Sequence, residues 1–329
     1  MNLTVIAAGA WGTALAIAFS AKHRVTLWTR EEDVAQIMRE QRENTRFLPG
    51  HRLPDALLIG DDFKTALAGA ELLVVATPLA GLRPTVRQLR DFAPLKPLIW
   101  VCKGMEAGSA KLPHQIVAEE LGAQALCGAL SGPSFAEEVA QGLPTAVTLA
   151  ANNPDFGRQT ALALHSHNLR IYANDDLPGV EVGGAVKNVM AIATGICDGL
   201  GLGLNARAAL ITRGLFEIAR LGAALGGQAQ TFMGLAGMGD LILTCTGDLS
   251  RNRRVGLALA AGKTLPQILA ELGHVAEGVS TAREVASLAK KLGIDMPITQ
   301  AVDAILHHHE PAARAVEKLL NRDPKIEMV

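Results

Sequence analysis

The sequence predicts an α/β domain with a parallel-rich sheet, followed by an all-α domain. In the first half of the chain, short β-branched apolar runs alternate with helical stretches, a pattern typical of parallel strands covered on both faces by helices. In the second half, glycine and alanine dominate and apolar residues recur at helical spacing. We therefore predict two domains, residues 1–178 and 179–329.

The strands expected in the first domain are its short apolar runs, at residues 3–6, 25–28, 72–76, 98–102, 146–149 and 169–172. Helices are expected between several of these strands, at residues 12–22, 79–89 and 113–121. In the second domain, helical periodicity covers residues 206–224, 254–260, 279–292 and 298–306. Ligands of such parallel sheets bind at the carboxyl ends of the strands.

Composition argues against several kinds of partner. Of 329 residues, 49% are apolar and the net charge is −1, which disfavours nucleic acid or an anionic membrane surface. Aromatic residues make up 4%, too few to favour platforms for stacked bases. The start of the sequence lacks the pattern of a signal peptide, and the apolar stretch 189–197 is shorter than the roughly 20 residues of a membrane span. We expect a cytoplasmic protein that acts on a small molecule.

Cysteine and histidine residues do not form a metal-binding pattern in the sequence. The four cysteines contain no C-x-x-C pair and lie among small or apolar neighbours, so we expect buried free thiols in a reducing compartment. The tract His307-His308-His309 falls in a helical pattern without spaced ligands, and we interpret it as a solvated helix face. No bound metal is predicted.

The turn after the first strand resembles a nucleotide-binding loop. In VIAAGAWGTAL, residues 5–15, Gly9 and Gly12 take the second and third glycine positions of G-x-G-x-x-G, while Ala7 takes the first. Amides at the helix start would face the pyrophosphate of a dinucleotide. A positive φ at Ala7 would cost about 1–3 kcal/mol. The context favours a Rossmann-like cofactor domain, and an ordinary glycine-rich turn remains the alternative.

The residue after the second strand bears on the type of dinucleotide. Arg30 stands where NAD-selective enzymes often have an acidic residue, and its guanidinium suits the 2′-phosphate of NADP. Glu31 and Glu32 follow, and they either bind the ribose or only begin the next helix. We expect NADP as the cofactor, with NAD also accepted. The alternative is that Arg30 is an ordinary surface residue.

Charged and polar residues interrupt the apolar stretches at several places. Lys103 follows the predicted strand 98–102 at the ligand-binding edge, and a Gly-Pro-Ser loop at 132–134 follows the next strand. Lys187 is the only charged residue in the stretch 183–197, and burial would lower its pKa toward the working range of a proton donor. The alternative is a lysine that extends along a helix surface to solvent.

Two polar groups follow in the second domain. Asp240 comes after glycines at the start of an apolar helix, where it would cap the helix or bind a substrate or a lysine. Ser250, Arg251 and Asn252 precede a helix, and a helix N-terminus with a guanidinium and an amide side chain suits a phosphate. Together these residues indicate hydride transfer with a nicotinamide cofactor, a lysine that handles the proton and an arginine that holds a phosphate.

Several long segments match one known family. They are AGAWGTALA, VCKGME, SGPSFAEEVAQGLPTAV, GGAVKNVMAI, GLNARAALITRGL, MGLAGMGDLILTCTGDLSRNRR, VAEGVSTAREV and MPIT. On these segments the chain resembles the bacterial NAD(P)-dependent sn-glycerol-3-phosphate dehydrogenase family over nearly its whole length. The family reduces dihydroxyacetone phosphate to sn-glycerol 3-phosphate, the backbone precursor of phospholipids. The resemblance implies a Rossmann-like domain followed by a helical domain, and a homodimer.

The resemblance also implies roles for the candidate site residues. Lys187 would be the catalytic proton donor and acceptor. The residues implied in substrate binding are Lys103, Gly132, Ser134, Lys187, Asp240, Ser250, Arg251 and Asn252. Those implied in binding NADP or NAD are Gly9, Ala10, Trp11, Gly12, Arg30, Lys103, Ala136, Arg251, Val275 and Glu277. Ala7 replaces the usual first glycine of the family, and Ala10 replaces a serine found in some members.

Two other functions fit part of the sequence. A related dehydrogenase of another hydroxyacid would use Arg251 for a carboxylate, and a panel of substrates would distinguish it. A nucleotide-binding homologue without catalytic activity is suggested by Ala7. Retention of Lys103, Lys187, Asp240 and Arg251 together argues against that second alternative.

Overall fold

The computed structural model describes residues 1–60, 62–93, 96–272 and 276–323 of the chain. Its strands are β1 (Asn2–Ile6), β2 (Arg24–Trp28), β3 (Glu43–Asn44), β4 (Leu48–Arg52), β5 (Leu58–Gly60), β6 (Leu72–Val75), β7 (Leu98–Trp100), β8 (Cys127–Ser131), β9 (Thr145–Ala151) and β10 (Leu169–Asn174). An eight-stranded sheet has the order β10-β9-β8-β7-β6-β1-β2-β5. Its pairs are parallel except β8 with β9, and β3 and β4 form a separate antiparallel pair.

Helices cover both faces of this sheet. They are α1 (Ala10–Ser20), α2 (Glu32–Gln41), α3 (Phe63–Ala68), α4 (Leu79–Phe92), α5 (Pro113–Leu121), α6 (Ala136–Ala140) and α7 (Pro154–Leu164). In β6, Val74 packs in one apolar cluster while Leu73 and Val75 pack in another. Alternate side chains of a strand enter opposite faces, so both faces are buried and the strand is apolar throughout.

The strand order reverses at β1. The chain proceeds from β1 to β2 on one side and later places β6 on the other side of β1. In open parallel sheets a crevice forms outside the carboxyl ends of the strands where the order reverses. The turn after β1 and the start of α4 after β6 therefore lie at the expected ligand crevice.

From Leu177 onward the described residues form helices and no strands. The helices are α8 (Leu177–Gly199), α9 (Gly203–Ala224), α10 (Ala229–Phe232), α11 (Asp240–Thr246), α12 (Arg251–Ala260), α13 (Leu265–Leu272), α14 (Glu277–Leu292), α15 (Pro297–His307) and α16 (Ala312–Leu320), with a π-helix at Leu235–Gly239. The predicted class, an α/β Rossmann-like domain followed by an all-α domain, is confirmed. The division at residues 178 and 179 stays a prediction.

Helix α8 is the centre of the second half of the molecule. It packs against α9, α11, α12 and α14. A Cβ on Gly195 would lie 2.1 Å from the carbonyl oxygen of Arg253, and one on Gly256 would lie 2.1 Å from that of Ile192, so α8 and α12 touch backbone to backbone. The apolar stretch 189–197, considered alone from the sequence, is too short to span a membrane. The whole of α8 is long and apolar enough to do so, but in this structure other parts of the protein bury this helix.

The sequence prediction did not include β3, β4 and β5 and gave no bounds for β8, and three further details differ from it. Strand β7 ends at Trp100, so Lys103 lies in a loop rather than directly after a strand. Cys102 is half-buried, whereas the other cysteines are buried as expected. The histidine tract is not one solvated helix face, because α15 ends at His307, whose ring contacts Arg283 and the carbonyl of Val279.

Candidate active site

The turn after β1 fits the pyrophosphate of a dinucleotide. Gly9 is the N-cap of α1, and no side chain of the described residues caps this helix. A Cβ on Gly12 would lie 2.2 Å from the carbonyl oxygen of Ala7, so only glycine lets the helix approach the strand this closely. Nothing lies within 4 Å of a Cβ built on Gly9. Uncapped amides beside open space form an anion-binding helix start.

Ala7 adopts the backbone conformation that the turn requires. Its φ is 83°, a region that favours glycine and costs an alanine about 1–3 kcal/mol. The Ala7 N–H donates to the carbonyl of Trp28 at 2.8 Å. Buried Asn44 donates from Nδ2 to the carbonyl of Ala8 and to the hydroxyl of Thr13, each at 2.8 Å. Asn44, which sequence reasoning missed, therefore helps to fix the turn.

Three predicted cofactor residues lie together beside this turn. Ala10 and Trp11 begin α1, Ala136 begins α6, and all three pack around Leu48 and Val139 in one small apolar cluster. The contact between α1 and α6 places these residues at the same end of the crevice as Gly9.

Arg30 lies at the mouth of a cavity of about 280 Å³ beyond the end of β2. The lining residues are Trp28, Thr29, Arg30, Glu32, Ala35, Arg39, Asp62 and Phe63. The Arg30 side chain is 85% exposed, and its Nε is 3.9 Å from Glu31, too far for a strong ion pair. Glu31 accepts a hydrogen bond from the Thr29 hydroxyl. Of the two glutamates, Glu32 lines the cavity and Glu31 does not. Arg39 was not predicted.

Two lysines meet on one buried carboxylate at the carboxyl edge of the sheet. Asp240 begins α11, and its Oδ2 accepts from Nζ of Lys103 at 2.6 Å. Its Oδ1 accepts from Nζ of Lys187, which lies on α8. Nζ of Lys187 is also 3.0 Å from the hydroxyl oxygen of Thr244, one turn after Asp240 on α11. Residues separated by more than fifty positions are thus brought into one cluster.

Burial controls the charges of this cluster. It lowers the pKa of Lys187 to about 7; the Asp240 carboxylate opposes this shift and the Lys103 charge adds to it. Burial alone would raise the pKa of Asp240, but the two ammonium groups outweigh it and hold that pKa below its usual range. Lys187 is therefore poised to change protonation state near neutral pH beside a permanent anion.

The other substrate candidates from the first half surround Lys103. Nζ of Lys103 is 3.4 Å from the carbonyl oxygen of Gly132, and the Ser134 hydroxyl donates to the same oxygen at 3.0 Å. Gly132 has φ 140°, a conformation that L side chains rarely adopt. The loop after β8 therefore lies against the lysine cluster, as its place at the sheet edge predicts.

The start of α12 has the features expected of an anion site, with one difference. Ser250 caps the helix by accepting from the backbone N–H of Arg253 at 3.2 Å. Arg251 is exposed and makes no hydrogen bond or ion pair with the described part of the chain. Asn252 is buried and bonds Asn188 and the N–H of Gly278, each at 3.0 Å. Its side chain joins α8, α12 and α14 and does not extend beside Arg251.

Glu277 connects the second half of the molecule to the start of α4. Its Oε1 accepts from the N–H of Leu79 at 3.1 Å. Burial raises the pKa of Glu277, while that N–H and the charge of Arg251 oppose the rise, so Glu277 and Arg251 are neighbours. Val275, the remaining predicted cofactor residue, lies outside the described residues.

Thr244 and Arg39 are additions to the predicted site. Thr244 stands four residues after Asp240, a spacing that places both on one helix face and was a usable signal. Arg39 belongs to an ordinary amphipathic helix, where nothing in the sequence distinguishes it. In the described ranges no group of three or more histidine, cysteine, aspartate or glutamate side chains is placed to hold a metal.

A dinucleotide-type turn and a buried lysine at one sheet edge define a nicotinamide-dependent oxidoreductase. The NAD-dependent glycerol-3-phosphate dehydrogenase family matches in both parts, its N-terminal model over residues 2–157 and its C-terminal model over 176–317. The chain belongs to this family, as the sequence resemblance implied.

Individual relatives cover the chain from end to end. It is 70% identical over 328 residues to glycerol-3-phosphate dehydrogenase [NAD(P)+] of Dechloromonas aromatica, with 100% of both chains covered. Identity is 62% to the protein of that name from Aromatoleum aromaticum, covering 99% of this chain and 100% of the relative. The crystal structure of glycerol-3-phosphate dehydrogenase from Coxiella burnetii superposes with TM-score 0.93 at 43% identity, covering 98% and 99% of the two chains. These likenesses support the glycerol-3-phosphate dehydrogenase interpretation over both alternatives.

Proposed function

We propose that the protein reduces dihydroxyacetone phosphate to sn-glycerol 3-phosphate with NADPH or NADH and so supplies glycerophospholipid synthesis. The observation that carries the proposal is the buried cluster of Lys187, Asp240 and Lys103. A proton donor with a pKa near neutrality, fixed by a carboxylate, is what carbonyl reduction requires of the protein. The names of the relatives direct the choice of substrate.

The chain's own residues divide the work as follows. The bound nicotinamide supplies the hydride that reaches the C2 carbonyl carbon. Lys187, as the ammonium, stabilises the developing alkoxide and donates a proton from Nζ to that oxygen. Asp240 holds Nζ in place through Oδ1, and Thr244 offers it a further acceptor. Lys103 and the loop that holds Gly132 and Ser134 orient the substrate hydroxyl.

The substrate phosphate binds at the start of α12 in this proposal. Arg251 supplies a guanidinium that makes no hydrogen bond or ion pair with the described residues, Ser250 shapes the helix start, and the Asn252 backbone contributes an amide. Arg251→Ala should raise the KM for dihydroxyacetone phosphate by about 10- to 100-fold, since a charge-assisted pair is worth about 1.5–3 kcal/mol. Arg254→Ala, a matched loss of an exposed arginine on the same helix, should leave this KM near the wild-type value. An unchanged KM in Arg251→Ala would remove Arg251 from the phosphate site.

Residues 9–12 would hold the pyrophosphate of the dinucleotide, and the cavity beside Arg30 would take its adenosine end. Ala10, Trp11 and Ala136, which pack together beside this turn, and Glu277 and Arg251 would also contact it. A 2′-phosphate at the cavity mouth would meet Arg30, which favours NADPH. Beyond the site, we propose a domain boundary between residues 178 and 179 and a cytoplasmic location. We also propose a homodimer, and light scattering would test this by measuring the mass of the protein in solution.

The first experiment is the oxidation of NADPH and NADH in parallel with dihydroxyacetone phosphate, followed by absorbance. Fast turnover is expected with dihydroxyacetone phosphate and none with dihydroxyacetone, which lacks the phosphate. Arg30→Ala should raise the KM for NADPH about tenfold, with little change for NADH. Equal activity on dihydroxyacetone would contradict the phosphate site, and no turnover with either cofactor would contradict the proposed reaction.

A further inference from the structure

A second buried carboxylate lies on the helix that carries Lys187. Glu181 stands six residues before Lys187 on α8, and its side chain is 2% exposed. Its Oε1 accepts from Nε1 of Trp100 at 3.0 Å and from the backbone N–H of His114 at 2.9 Å, while Oε2 contacts Nδ1 of His114. Burial raises the pKa of Glu181, and the bonds from His114 and Trp100 oppose the rise.

These partners are the two ends of the segment that holds Lys103. Trp100 is the last residue of β7, and His114 lies in the first turn of α5, where an anion is favourable. The loop between them contains Lys103. One carboxylate on α8 therefore fixes both ends of the Lys103 loop to the Lys187 helix.

The stem of Lys103 also rests directly on α8. A Cβ on Gly184 would lie 3.4 Å from Cγ of Lys103 and 2.9 Å from the hydroxyl oxygen of Ser131. Lys103, Ser131, Gly184 and Glu181 line one small cavity of about 10 Å³. With so little space, a shift of the loop relative to α8 would displace Nζ of Lys103 from Asp240.

We propose that Glu181 is a positioning residue for the reaction. By fixing the Lys103 loop to α8, it sets the position of Lys103 relative to Lys187, and both lysines bind the same carboxylate, Asp240. The inference rests on the proposed function, in which Lys187 donates the proton. Glu181 differs from a residue that only anchors a helix. Loss of Glu181 changes the charge environment of Lys187 as well as the stability of the fold.

The test compares Glu181→Ala and Glu181→Gln with wild type. In Glu181→Ala, kcat at saturating substrates should fall about 10- to 100-fold, because a displacement of about 1 Å costs on that order. The KM for cofactor should stay within about twofold, since the cofactor turn is not involved. Glu181→Gln retains an acceptor for Trp100 and for the His114 N–H, and it should recover most of kcat.

The dependence of kcat on pH separates positioning from mere stability. The Lys103 charge lowers the pKa of Lys187, so a displaced Lys103 should move the midpoint of the kcat profile to higher pH in Glu181→Ala. Glu217→Ala is the matched control: Glu217 is buried and accepts from the N–H groups of Ile298 and Thr299 at the start of α15. It should lower the melting temperature without moving kcat or the midpoint.

Wild-type kcat and midpoint in Glu181→Ala, or the same changes in Glu217→Ala, would overturn the inference. If Glu181→Ala does not fold, Trp100→Phe removes one donor and should shift the midpoint in the same direction; an unmoved midpoint there overturns the inference as well. Crystal structures of wild type and variant give a readout without turnover. Loss of the 2.6 Å contact between Lys103 and Asp240 supports the inference, and its retention contradicts it. An inactive wild type would instead contradict only the proposed function.

Discussion

The proposed cofactor turn and the lysine cluster differ in the groups that form them: backbone amides in the turn and charged side chains in the cluster. At the proposed cofactor turn, backbone amides and open space beside Gly9 would form the binding surface, and the side chains only permit the conformation. In the cluster, charged side chains of Lys103, Lys187 and Asp240 form the surface, and burial sets their charge. Backbone groups are common to all residues, so a turn tolerates an imperfect residue such as Ala7 at an energetic cost. Among side chains only lysine supplies an ammonium, so the cluster does not tolerate a replacement of this kind.

The largest effect should follow removal of the proton donor. Lys187→Ala should lower kcat by about 10³- to 10⁴-fold, since general acid catalysis and alkoxide stabilisation are lost together. Cofactor affinity, measured by fluorescence titration, should change little because the turn is intact. Lys290→Ala, at an exposed lysine of α14, is the control and should be fully active. Near-normal turnover of the Lys187 variant would refute its assigned role.

Two substitutions that each add one methyl group, Gly12→Ala and Gly9→Ala, distinguish the role of the turn in packing from its role in cofactor binding. Gly12→Ala should lower both melting temperature and cofactor affinity, the latter by about 10²-fold, because its Cβ overlaps the Ala7 carbonyl. Gly9→Ala meets no protein atom within 4 Å, so it should keep the melting temperature. Its methyl should still weaken cofactor binding, measured by titration. A Gly9 variant with wild-type affinity would place the pyrophosphate elsewhere.

The dependence of kcat on pH should be opposite for reduction and for oxidation. Lys187 is an ammonium below a pKa of about 7 and an amine above it. Reduction needs the ammonium, so kcat should fall about tenfold for each pH unit above this value. Oxidation of sn-glycerol 3-phosphate needs the amine, so its kcat should rise about tenfold for each pH unit below this value and level off above it. Profiles that rise together in both directions would exclude this lysine as the proton carrier.

The smallest effect should come from restoring glycine at the first position of the turn. Ala7→Gly removes the strain of φ 83°, worth about 1–3 kcal/mol, but increases the entropy of the unfolded chain by roughly 0.5–1 kcal/mol. We expect a gain of about 1 kcal/mol in unfolding free energy, measured by urea denaturation, and cofactor affinity at most about fivefold tighter. A destabilised variant would mean that the alanine conformation is not strained.

Sequence patterns were informative about the structure where the role of a residue depends on its neighbours along the chain. The apolar run around Lys187 left two alternatives, a buried lysine and one that extends to solvent, and the structure has it buried. The glycines before Asp240 left open a bond to a lysine, which the structure contains. The strand–turn–helix order likewise predicted the turn between β1 and α1, and the role of this turn in cofactor binding stays a prediction.

Roles that depend on distant partners were not predictable in this way. Asn44 bonds a turn more than thirty residues away, and Glu181 bonds Trp100 and His114 across more than sixty residues of sequence. Asn252 was expected beside the phosphate, yet its side chain enters the interior. In the first turn of a helix, one position separates the exposed face from the buried one, and no local pattern showed which face it would take.

The backbone contact between α8 and α12 has a consequence for motion. The backbones of α8 and α12 touch at Gly195 and Gly256, and residues 179–197 of α8 are buried, so a single turn within this stretch is shielded from water. The amide hydrogens of this stretch should then exchange when the surrounding helices separate as a unit. The segment that holds Lys187 should therefore be among the slowest to exchange, so the proposed proton donor lies on a helix that keeps its shape while ligands bind to and leave the proposed cofactor turn.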